Sequence, residues 1–255
     1  MFRIDIKKED ILIMEINLEK RLFGYDTEIE FYDVDMKHRM KLASLLRLFA
    51  RLAGEDYTER GMSHVFLRER GYIFLVSKVA YKIFRMPRLE EKVKVGTWVI
   101  GTKGARFLRG YEMLSENGEK LISAESVWIC VDSNDRKIVR PKEFPWQTGC
   151  YDNGEIPVSC QNIKSDNLTH WQDYSLKYTD IDGNGHLNNA IYGDIIANAM
   201  TQDELDKEID ELYLNYSHEA YLGETLSIYR GDSNDTVLIA MVGDRPCFEC
   251  KLKFK

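Results

Sequence analysis

Apolar and polar residues are arranged along the first half of the chain in a way that predicts one helix followed by antiparallel strands. Apolar residues at positions 42, 45, 46, 49, 52 and 53 follow the spacing of a buried helix face, and Gly54 is expected to end this helix. Strand-like runs follow at residues 72–83, 92–100, 107–114 and 121–131. Asn117 and Gly118, between the last two runs, are typical of a tight hairpin turn.

The second half repeats this order of elements. A polar stretch at residues 180–192, DIDGNGHLNNAIY, leads into apolar residues at i, i+4, i+8 spacing, which predict a buried helix starting near Asn188 or Asn189. Further strands are predicted at residues 212–218, 225–229, 236–242 and 248–254. Both halves therefore predict a polar turn, a helix and antiparallel strands, in that order.

A short alignment of the two halves suggests a duplication. At an offset of 147 residues, the DVD of residues 33–35 aligns with the DID of residues 180–182. The same alignment pairs Lys37 with Asn184, Arg39 with His186, and Ala43 with Ala190. Because the amide and the imidazole occur only in the second copy, that copy alone is expected to have kept its chemistry.

The segment between the halves is interpreted as a linker. It holds three of the five prolines, at positions 141, 145 and 157, and shows little periodicity. Proline lacks a backbone donor and interrupts regular pairing, so the domain boundary is expected here. The expected organisation is an N-terminal domain at residues 1–140, a linker at 141–170 and a C-terminal domain at 171–255.

Composition excludes several classes of protein. The chain has 255 residues, of which 44% are hydrophobic and 30% charged, so global disorder is not expected. A net charge of -7 disfavours overall attraction to nucleic acid or to an anionic membrane. The N-terminal residues are charged from the third position, and no run of about 18 apolar residues occurs. A cytoplasmic protein without a membrane span is expected.

The five cysteines are interpreted as free thiols, because their number is odd and they are widely spaced. Cys247 and Cys250 form a lone C-x-x-C, which is weak evidence for a metal or redox site without a second pair or a helix N-terminus. Alternating apolar residues around them predict a final strand instead.

The polar stretch before the second helix is the candidate for chemistry. Asp182, Asn184 and His186 recur at every second position, so in an extended segment their side chains would share one face. The helix start behind them would supply unpaired backbone N–H groups. Taken singly, turn and capping hydrogen bonds are the favoured explanation for Asp182 and Asn184, and a structural role is the alternative for His186.

This constellation resembles the acyl carrier protein (ACP) thioesterases, a family with a double hotdog fold. The motif D-x-N-x-H-x-N-N carries the resemblance, through Asp182, Asn184, His186, Asn188 and Asn189. Shorter family-like pieces are YDVD at residues 32–35, GTW at 96–98, SVW at 126–128 and NYSHE at 215–219. The resemblance spans roughly residues 28–226 and implies an α+β fold of two tandem hotdog repeats, each a long helix wrapped by a bent antiparallel β-sheet.

The resemblance also implies a thioester hydrolase of fatty acid biosynthesis that needs no metal or organic cofactor. In many members a cysteine follows the acidic residue on the strand after the second helix, but here that position is Ala220. Cysteine catalysis is therefore disfavoured, and Glu219 and His186 are expected to share the activation of water. Asp182 would orient a neighbouring group or its own turn, and Asn184 would position the water or the thioester.

Further site residues follow from the same resemblance. Backbone N–H groups near Asn188 and Asn189 are expected to bind the developing oxyanion. The N-terminal repeat is expected to bind the acyl chain, and the C-terminal repeat to be catalytic. Apolar residues that would line an acyl tunnel, or would otherwise belong to the ordinary core, are Leu45, Leu46, Phe49, Phe74 and Trp98.

The expected partner is an acyl carrier protein bearing a 4'-phosphopantetheine acyl thioester. Carrier proteins of this kind are acidic, so a basic docking surface is expected from among Arg68, Arg70, Lys82, Arg85, Arg88, Arg136, Lys137, Arg140 and Lys142. Alternatives are a thioesterase acting on acyl-coenzyme A, a non-catalytic acyl-binding module with no need for Glu219 or His186, and a hydratase or dehydratase of the same fold. A homodimer is an open alternative to a monomer.

Overall fold

The computed structural model describes residues 20–147 and 149–255. The charged N-terminal residues, from which the lack of an export signal was inferred, lie outside these ranges. No helix within them combines the length and the hydrophobicity that crossing a bilayer requires.

The first half contains one long helix and five principal strands. Its elements are β1 (Phe23–Glu28), α1 (Leu42–Glu59), α2 (His64–Glu69), β2 (Tyr72–Ile83), β3 (Lys92–Lys103), β4 (Arg106–Ser115), β5 (Lys120–Asp132) and the short β6 (Ile138–Val139). The four strand runs predicted from the sequence are β2 to β5. Gly118 has a positive φ of 84° in the turn between β4 and β5, as the hairpin prediction requires.

The second half repeats this order with shorter helices. Its elements are β7 (Thr169–Ser175), α3 (Ile191–Ala199), α4 (Gln202–Asp206), β8 (Ile209–Tyr216), β9 (Thr225–Arg230), β10 (Thr236–Val242) and β11 (Arg245–Phe254). The predicted strands correspond to β8 to β11. Because β7 begins at Thr169, the last two residues of the expected linker belong to a strand.

All principal strands join one antiparallel sheet with the order β1-β3-β4-β5-β2-β8-β11-β10-β9-β7. Read from its outer edge, each half has the same order: β1-β3-β4-β5-β2 in the first and β7-β9-β10-β11-β8 in the second. The halves meet where β2 pairs with β8, with Ala80 opposite Tyr213. The second half is therefore arranged as the first half is.

The main core lies between the sheet and the two longer helices. Leu45, Phe49 and Leu52 of α1 pack there with Ile195 and Ile196 of α3. The helices approach so closely that a Cβ added at Gly193 would lie 2.4 Å from the backbone nitrogen of Ala43. Only glycine at position 193 leaves room for this contact.

The connection between the halves packs on the other face of the sheet. Leu212 and Leu214 of β8 enter the main core, whereas Tyr213 points to the opposite face. There it meets Val158 and Ile163 of the connection. The predicted linker is therefore a covering segment of the sheet.

Two helix predictions were wrong. Gly54 does not end α1, which continues to Glu59, because the buried Asp56 ties its last turns to the fold. The Asp56 carboxylate accepts hydrogen bonds from Arg60 Nε at 2.9 Å and from both terminal nitrogens of Arg109 at 3.0 Å.

The second helix starts later than predicted. Residues 188–190 form a turn, in which the Ala190 N–H donates to Asn188 Oδ1 at 2.9 Å, and α3 begins at Ile191. It has 9 residues against 18 in α1, so the expectation of a long helix in each half holds only for the first.

Candidate active site

The polar stretch before α3 folds into a tight turn around Asp182. Its carboxylate Oδ1 accepts the backbone N–H groups of Asn184 at 2.8 Å and His186 at 3.4 Å. The Asp182 N–H donates in turn to the His186 carbonyl at 2.8 Å. The Asp182 side chain therefore stabilises the turn through hydrogen bonds to its backbone. The prediction that Asp182, Asn184 and His186 project from one face of an extended segment was wrong.

His186 and Glu219 are brought together by an extended segment that follows β8. His186 pairs with Tyr221 in an isolated antiparallel bridge, and the Leu187 N–H donates to the Ala220 carbonyl at 2.8 Å. This pairing brings His186 Nε2 to 3.3 Å from Glu219 Oε2. An imidazole and a carboxylate from segments 33 positions apart are thus brought within ion-pair distance of each other.

Two further side chains hold the Glu219 carboxylate. The Tyr221 hydroxyl donates to Oε2 at 3.1 Å, and Arg136 Nη2 forms an ion pair with Oε1. The hydrogen bond to Glu219 and burial raise the pKa of Tyr221, so the hydroxyl keeps its proton at neutral pH. The Tyr221 ring also stands edge-on to the His186 ring, with centroids 5.3 Å apart.

The pair is accessible to water without being fully exposed. The side chain of His186 is 21% exposed and that of Glu219 is 31% exposed. A water molecule can therefore reach the carboxylate while the protein fixes its orientation.

The asparagines of the motif have separate surroundings. Asn184 is exposed, and its Oδ1 lies 3.5 Å from Arg68 Nη1 of α2, with no contact to the His186–Glu219 pair among the described residues. Asn188 caps the turn before α3 through its side chain. The backbone N–H of Asn189 has no hydrogen-bond acceptor in the described part of the chain, which leaves it free for a ligand.

Two adjoining cavities lie beside this turn. The smaller has a volume of about 50 Å³ and is lined by Asn189, Leu46 and Phe49, among others. The larger, of about 300 Å³, lies beneath the C-terminal part of α1 and includes Phe74. Both cavities are lined by Ala50 and Trp128, so they share part of their wall at these two residues.

Leu45 and Trp98, two of the expected tunnel residues, do not line either cavity. Leu45 is 0% exposed and belongs to the main core. Trp98 covers Gly110 on the neighbouring strand, where an added Cβ would lie 2.3 Å from the indole ring. Both side chains therefore belong to the ordinary core, which is the alternative to a tunnel lining that the sequence analysis gave for them.

The first half has the same backbone turn without an imidazole and a carboxylate at the corresponding positions. There the Asp35 N–H donates to the Arg39 carbonyl at 2.8 Å, the Met40 N–H donates to the Pro87 carbonyl at 2.9 Å, and Arg39 pairs with Arg88 in an isolated bridge. These contacts correspond one for one to those of the turn before α3. By this register, Arg39 occupies the position of His186, Met86 that of Glu219, and Arg88 that of Tyr221.

Sequence reasoning missed the contacts of Arg136 and Tyr221 with Glu219. Tyr221 lies two positions after Glu219 in an extended segment, so a shared side was predictable from the spacing. Arg136 was considered only as part of a docking surface, because nothing in the sequence relates it to a residue 83 positions away. Its turn after β5 reaches the site through the arrangement of the whole sheet.

The cysteines are free thiols, as predicted. Cys247 and Cys250 are buried in β11, as the strand prediction requires, and burial raises the pKa of both thiols. Within the described residues, no three His, Cys, Asp or Glu side chains are grouped so that they could hold a metal ion.

Two family profiles match the chain. The profile of the acyl-ACP thioesterase N-terminal domain matches residues 20–144, and the profile of the acyl-ACP thioesterase C-terminal domain matches residues 163–252. The matched ranges correspond to the two halves of the sheet, and the second contains the His186–Glu219 pair.

Known structures and curated proteins are similar over most of the chain. An acyl-ACP thioesterase from Bacteroides thetaiotaomicron is 25% identical with a TM-score of 0.85, over 92% of this chain and 98% of that chain. The 12:0-ACP thioesterase from Umbellularia californica shares the fold, with a TM-score of 0.78 at 14% identity, over 92% of this chain and 97% of that chain.

A chloroplastic acyl-ACP hydrolase from Cuphea viscosissima is 22% identical over 241 residues, which cover 85% of this chain and 57% of that protein. The chain spans about half the length of the curated relatives that it matches.

Proposed function

Since this chain belongs to the acyl-ACP thioesterase family, we propose that it hydrolyses fatty acyl-ACP thioesters to free fatty acid and carrier protein. The observation that carries the proposal is the 3.3 Å contact between His186 Nε2 and Glu219 Oε2. His186 lies three residues before Asn189, which lines the smaller cavity. A thioester carbonyl attacked by water needs a group that takes the water proton, and this pair supplies one. Ala220, at the position where relatives have cysteine, supports direct attack by water.

The remaining groups of the site support the same reaction. Asn189 lines the smaller cavity, and its backbone N–H has no acceptor among the described residues. We assign this N–H to the oxyanion, which a donor fixed before reaction would stabilise by a few kcal/mol. Asp182 acts on the turn that carries His186. Asn184, beside Arg68 at the surface, is assigned to positioning the thioester arm as it enters. Asn188 acts as a cap of the turn before α3.

The acyl chain is proposed to follow an apolar path from Asn189 past Trp128 into the larger cavity. Leu46 and Phe49 would contact the part of the chain next to the thioester, and Phe74 would contact its far part. Burial of apolar surface contributes about 25 cal/mol per Å², so several methylene groups in this cavity would give the substrate most of its affinity.

The architecture is proposed to be two tandem hotdog repeats. Identical strand order from each outer edge and matching hydrogen bonds in the two polar turns support the duplication. We assign the N-terminal repeat, within residues 1–140, to acyl binding and the C-terminal repeat to catalysis. The second repeat is proposed to begin at β7 (Thr169–Ser175), after a connection that covers the sheet.

The proposed partner is an acidic carrier protein. Two of the candidate basic residues, Arg68 and Arg136, lie beside the site on the first repeat, at its contacts with Asn184 and Glu219. A carrier protein that docks over them would deliver its pantetheine arm next to the pair. The net charge of -7 over the whole chain would disfavour docking of an acidic partner at other surfaces.

Variants of the pair test the proposal. His186→Ala and Glu219→Gln should each lower turnover of acyl-ACP by about a hundredfold or more with the fold intact by circular dichroism. His218→Ala is the matched control, because His218 is adjacent to Glu219 in sequence but its Nδ1 is 2.7 Å from the Pro246 carbonyl. Normal turnover in either pair variant would remove that residue from the mechanism.

The substrate class is tested with carriers that share one acyl chain. Acyl-ACP should be hydrolysed with a higher kcat/KM than the same chain on coenzyme A. Equal values for both carriers would show that the protein surface of the carrier is not recognised. Binding of both carriers without any turnover would favour the non-catalytic acyl-binding alternative.

A further inference from the structure

A third cavity, beneath α3, corresponds to the proposed acyl cavity beneath α1. It has a volume of about 250 Å³ and is lined by Ala197 of α3 and by Met200, which follows the last residue of α3. The larger cavity of the first repeat is lined by Ala50 and Ala53 of α1. Positions 197 and 200 lie 147 residues after positions 50 and 53, which is the offset that aligns the two polar turns. Each repeat therefore has an apolar cavity at the same place below its helix.

The groups at the mouth of this third cavity differ from those of the active site. Arg39 and Met86, which occupy the positions of His186 and Glu219, both line it. A ligand bound here meets no carboxylate–imidazole pair and is not hydrolysed. Arg39 donates hydrogen bonds to Asp35 at 3.0 Å and to the Leu205 carbonyl at 3.0 Å, so it ties the turn to α4.

The rim of the third cavity is cationic on a chain that is acidic overall. The charged residues that line it are six cations, Arg39, Lys41, Arg85, Arg88, Lys207 and Lys255, and four acids, Asp35, Asp194, Glu204 and Glu208. The local balance is thus +6 - 4 = +2, against -7 for the chain. Arg88 is exposed, and its guanidinium makes no hydrogen bond within residues 20–147 and 149–255.

Most of the acids around the third cavity are neutralised by partners. Asp35 pairs with Arg39, Glu204 with Arg230, and Glu208 with Lys255. Burial raises the pKa of the fourth, Asp194, and the positive charges of Lys41 and Arg47 oppose this. The exposed cations Arg88 and Lys207 therefore remain available to an anion at the rim.

We propose that the third cavity binds a free long-chain carboxylate, with its apolar tail beneath α3 and its head group at Arg88 and Lys207. The apolar lining, with Met40, Met86 and Met200, adapts to a flexible chain, and the cations at the rim complement a single negative charge. The inference rests on the proposed function, because it treats the third cavity as a copy of an acyl-binding cavity. The ligand is then the product of the proposed reaction, held at a second site.

Calorimetric titration of the full chain with dodecanoate tests the inference. The wild type should bind two equivalents. Ala197→Trp, which fills the third cavity, should bind one equivalent and keep its turnover of acyl-ACP. The matched variant Ala50→Trp, which fills the larger cavity beneath α1, should also bind one equivalent but lose turnover.

The head group is tested separately. Arg88→Glu changes an exposed side chain, and it should lower the affinity of one of the two dodecanoate sites by about tenfold or more. Dodecanol, which lacks the negative charge, should bind the same site of the wild type with a similarly lowered affinity. Two equivalents with unchanged affinity in Arg88→Glu would overturn the proposed head-group site.

The outcomes also separate the two proposals. If the wild type binds only one equivalent of dodecanoate and Ala50→Trp abolishes this binding, the proposed site in the third cavity is overturned and the proposed function stands. A wild type that binds two equivalents, neither of them affected by Ala197→Trp, overturns the third site as well. Failure of Ala50→Trp to change either binding or turnover contradicts the proposed acyl cavity itself, and with it both proposals.

Discussion

Arg136 and Tyr221 should set the rate of the proposed reaction through the carboxylate of Glu219. The Tyr221 hydroxyl donates at 3.1 Å to Oε2, the oxygen that also faces His186, and Arg136 binds the other oxygen. Each contact restricts the rotation of a side chain that is 31% exposed. We expect Tyr221→Phe and Arg136→Gln to leave the fold intact and to let the carboxylate turn away from His186.

The size of the effect follows from the geometry of these contacts. A hydrogen bond to a charged group contributes about 1.5–3 kcal/mol when buried, and partial exposure reduces this to about 1 kcal/mol for Tyr221. Since 1.36 kcal/mol corresponds to a tenfold change in rate, Tyr221→Phe should lower kcat by about fivefold. Arg136, at 43% side-chain exposure, makes a surface ion pair of about 0.2–1 kcal/mol, which predicts a loss of fivefold at most.

Steady-state kinetics with saturating acyl thioester measure these changes. Tyr221→Phe should lower kcat while the KM for acyl-ACP stays within about twofold, because Tyr221 lines neither cavity. Arg136→Gln should lower kcat as well, and it should raise the KM for acyl-ACP but not for acyl-coenzyme A, because Arg136 belongs to the proposed docking surface. The double variant should lose less kcat than the product of the two single fold-decreases, because both residues hold the same carboxylate. Arg136→Lys, which keeps the charge, should recover most of the activity. A rise in KM at constant kcat would refute the positioning role and leave Arg136 as a docking residue only.

Three further predictions concern the fold and the thiols. Gly193→Ala should lower the unfolding free energy by about 2 kcal/mol in urea titrations, because its Cβ would meet backbone atoms of Ala43; an unchanged midpoint would contradict the close helix contact. Burial alone would raise the pKa of Glu204, but hydrogen bonds, of which that from Arg230 is the strongest, lower this pKa from an ordinary value of 4.5 to about 2. The ionised carboxylate therefore stabilises the fold above pH 4.5, and this stabilisation is lost as the pH falls towards 2. Glu204→Gln should therefore cost about 3 kcal/mol at pH 7 and little near pH 2, and equal losses at both pH values would contradict the ion pair. Iodoacetamide should label the exposed Cys150 first, as seen by mass spectrometry, without loss of turnover, whereas inactivation that substrate prevents would point to a cysteine nucleophile.

Strong periodicity made most of the sheet predictable from the sequence. The runs that became β2 and β10 were predicted at their observed bounds, because apolar residues dominate both. β7 (THWQDYS) was missed, since this edge strand is mostly exposed and lacks an apolar alternation. α2 and α4 were missed as well, because helices of 6 and 5 residues are too short to show a helical period.

The candidate site was only partly predictable, for a different reason. Local sequence indicated His186 in its turn, and the family resemblance supplied Glu219. The conformation of the turn was predicted wrongly, because the Asp182 carboxylate accepts hydrogen bonds from the backbone N–H groups of Asn184 and His186 and does not project alongside their side chains. Arg136 depends on where the turn after β5 lies in the assembled sheet, and single-sequence reasoning has no access to such a contact.

Comparison of the two polar turns separates what the fold requires from what the proposed chemistry requires. The backbone hydrogen bond that joins Leu187 to Ala220 has a counterpart of nearly equal length between Met40 and Pro87, at 2.8 and 2.9 Å. The backbone is therefore maintained in both halves, although only the second has an imidazole and a carboxylate at these positions. Because Arg136 of the first half binds the carboxylate of Glu219 in the second, the candidate site draws on both halves, and the second half alone would lack one of the groups that orient Glu219.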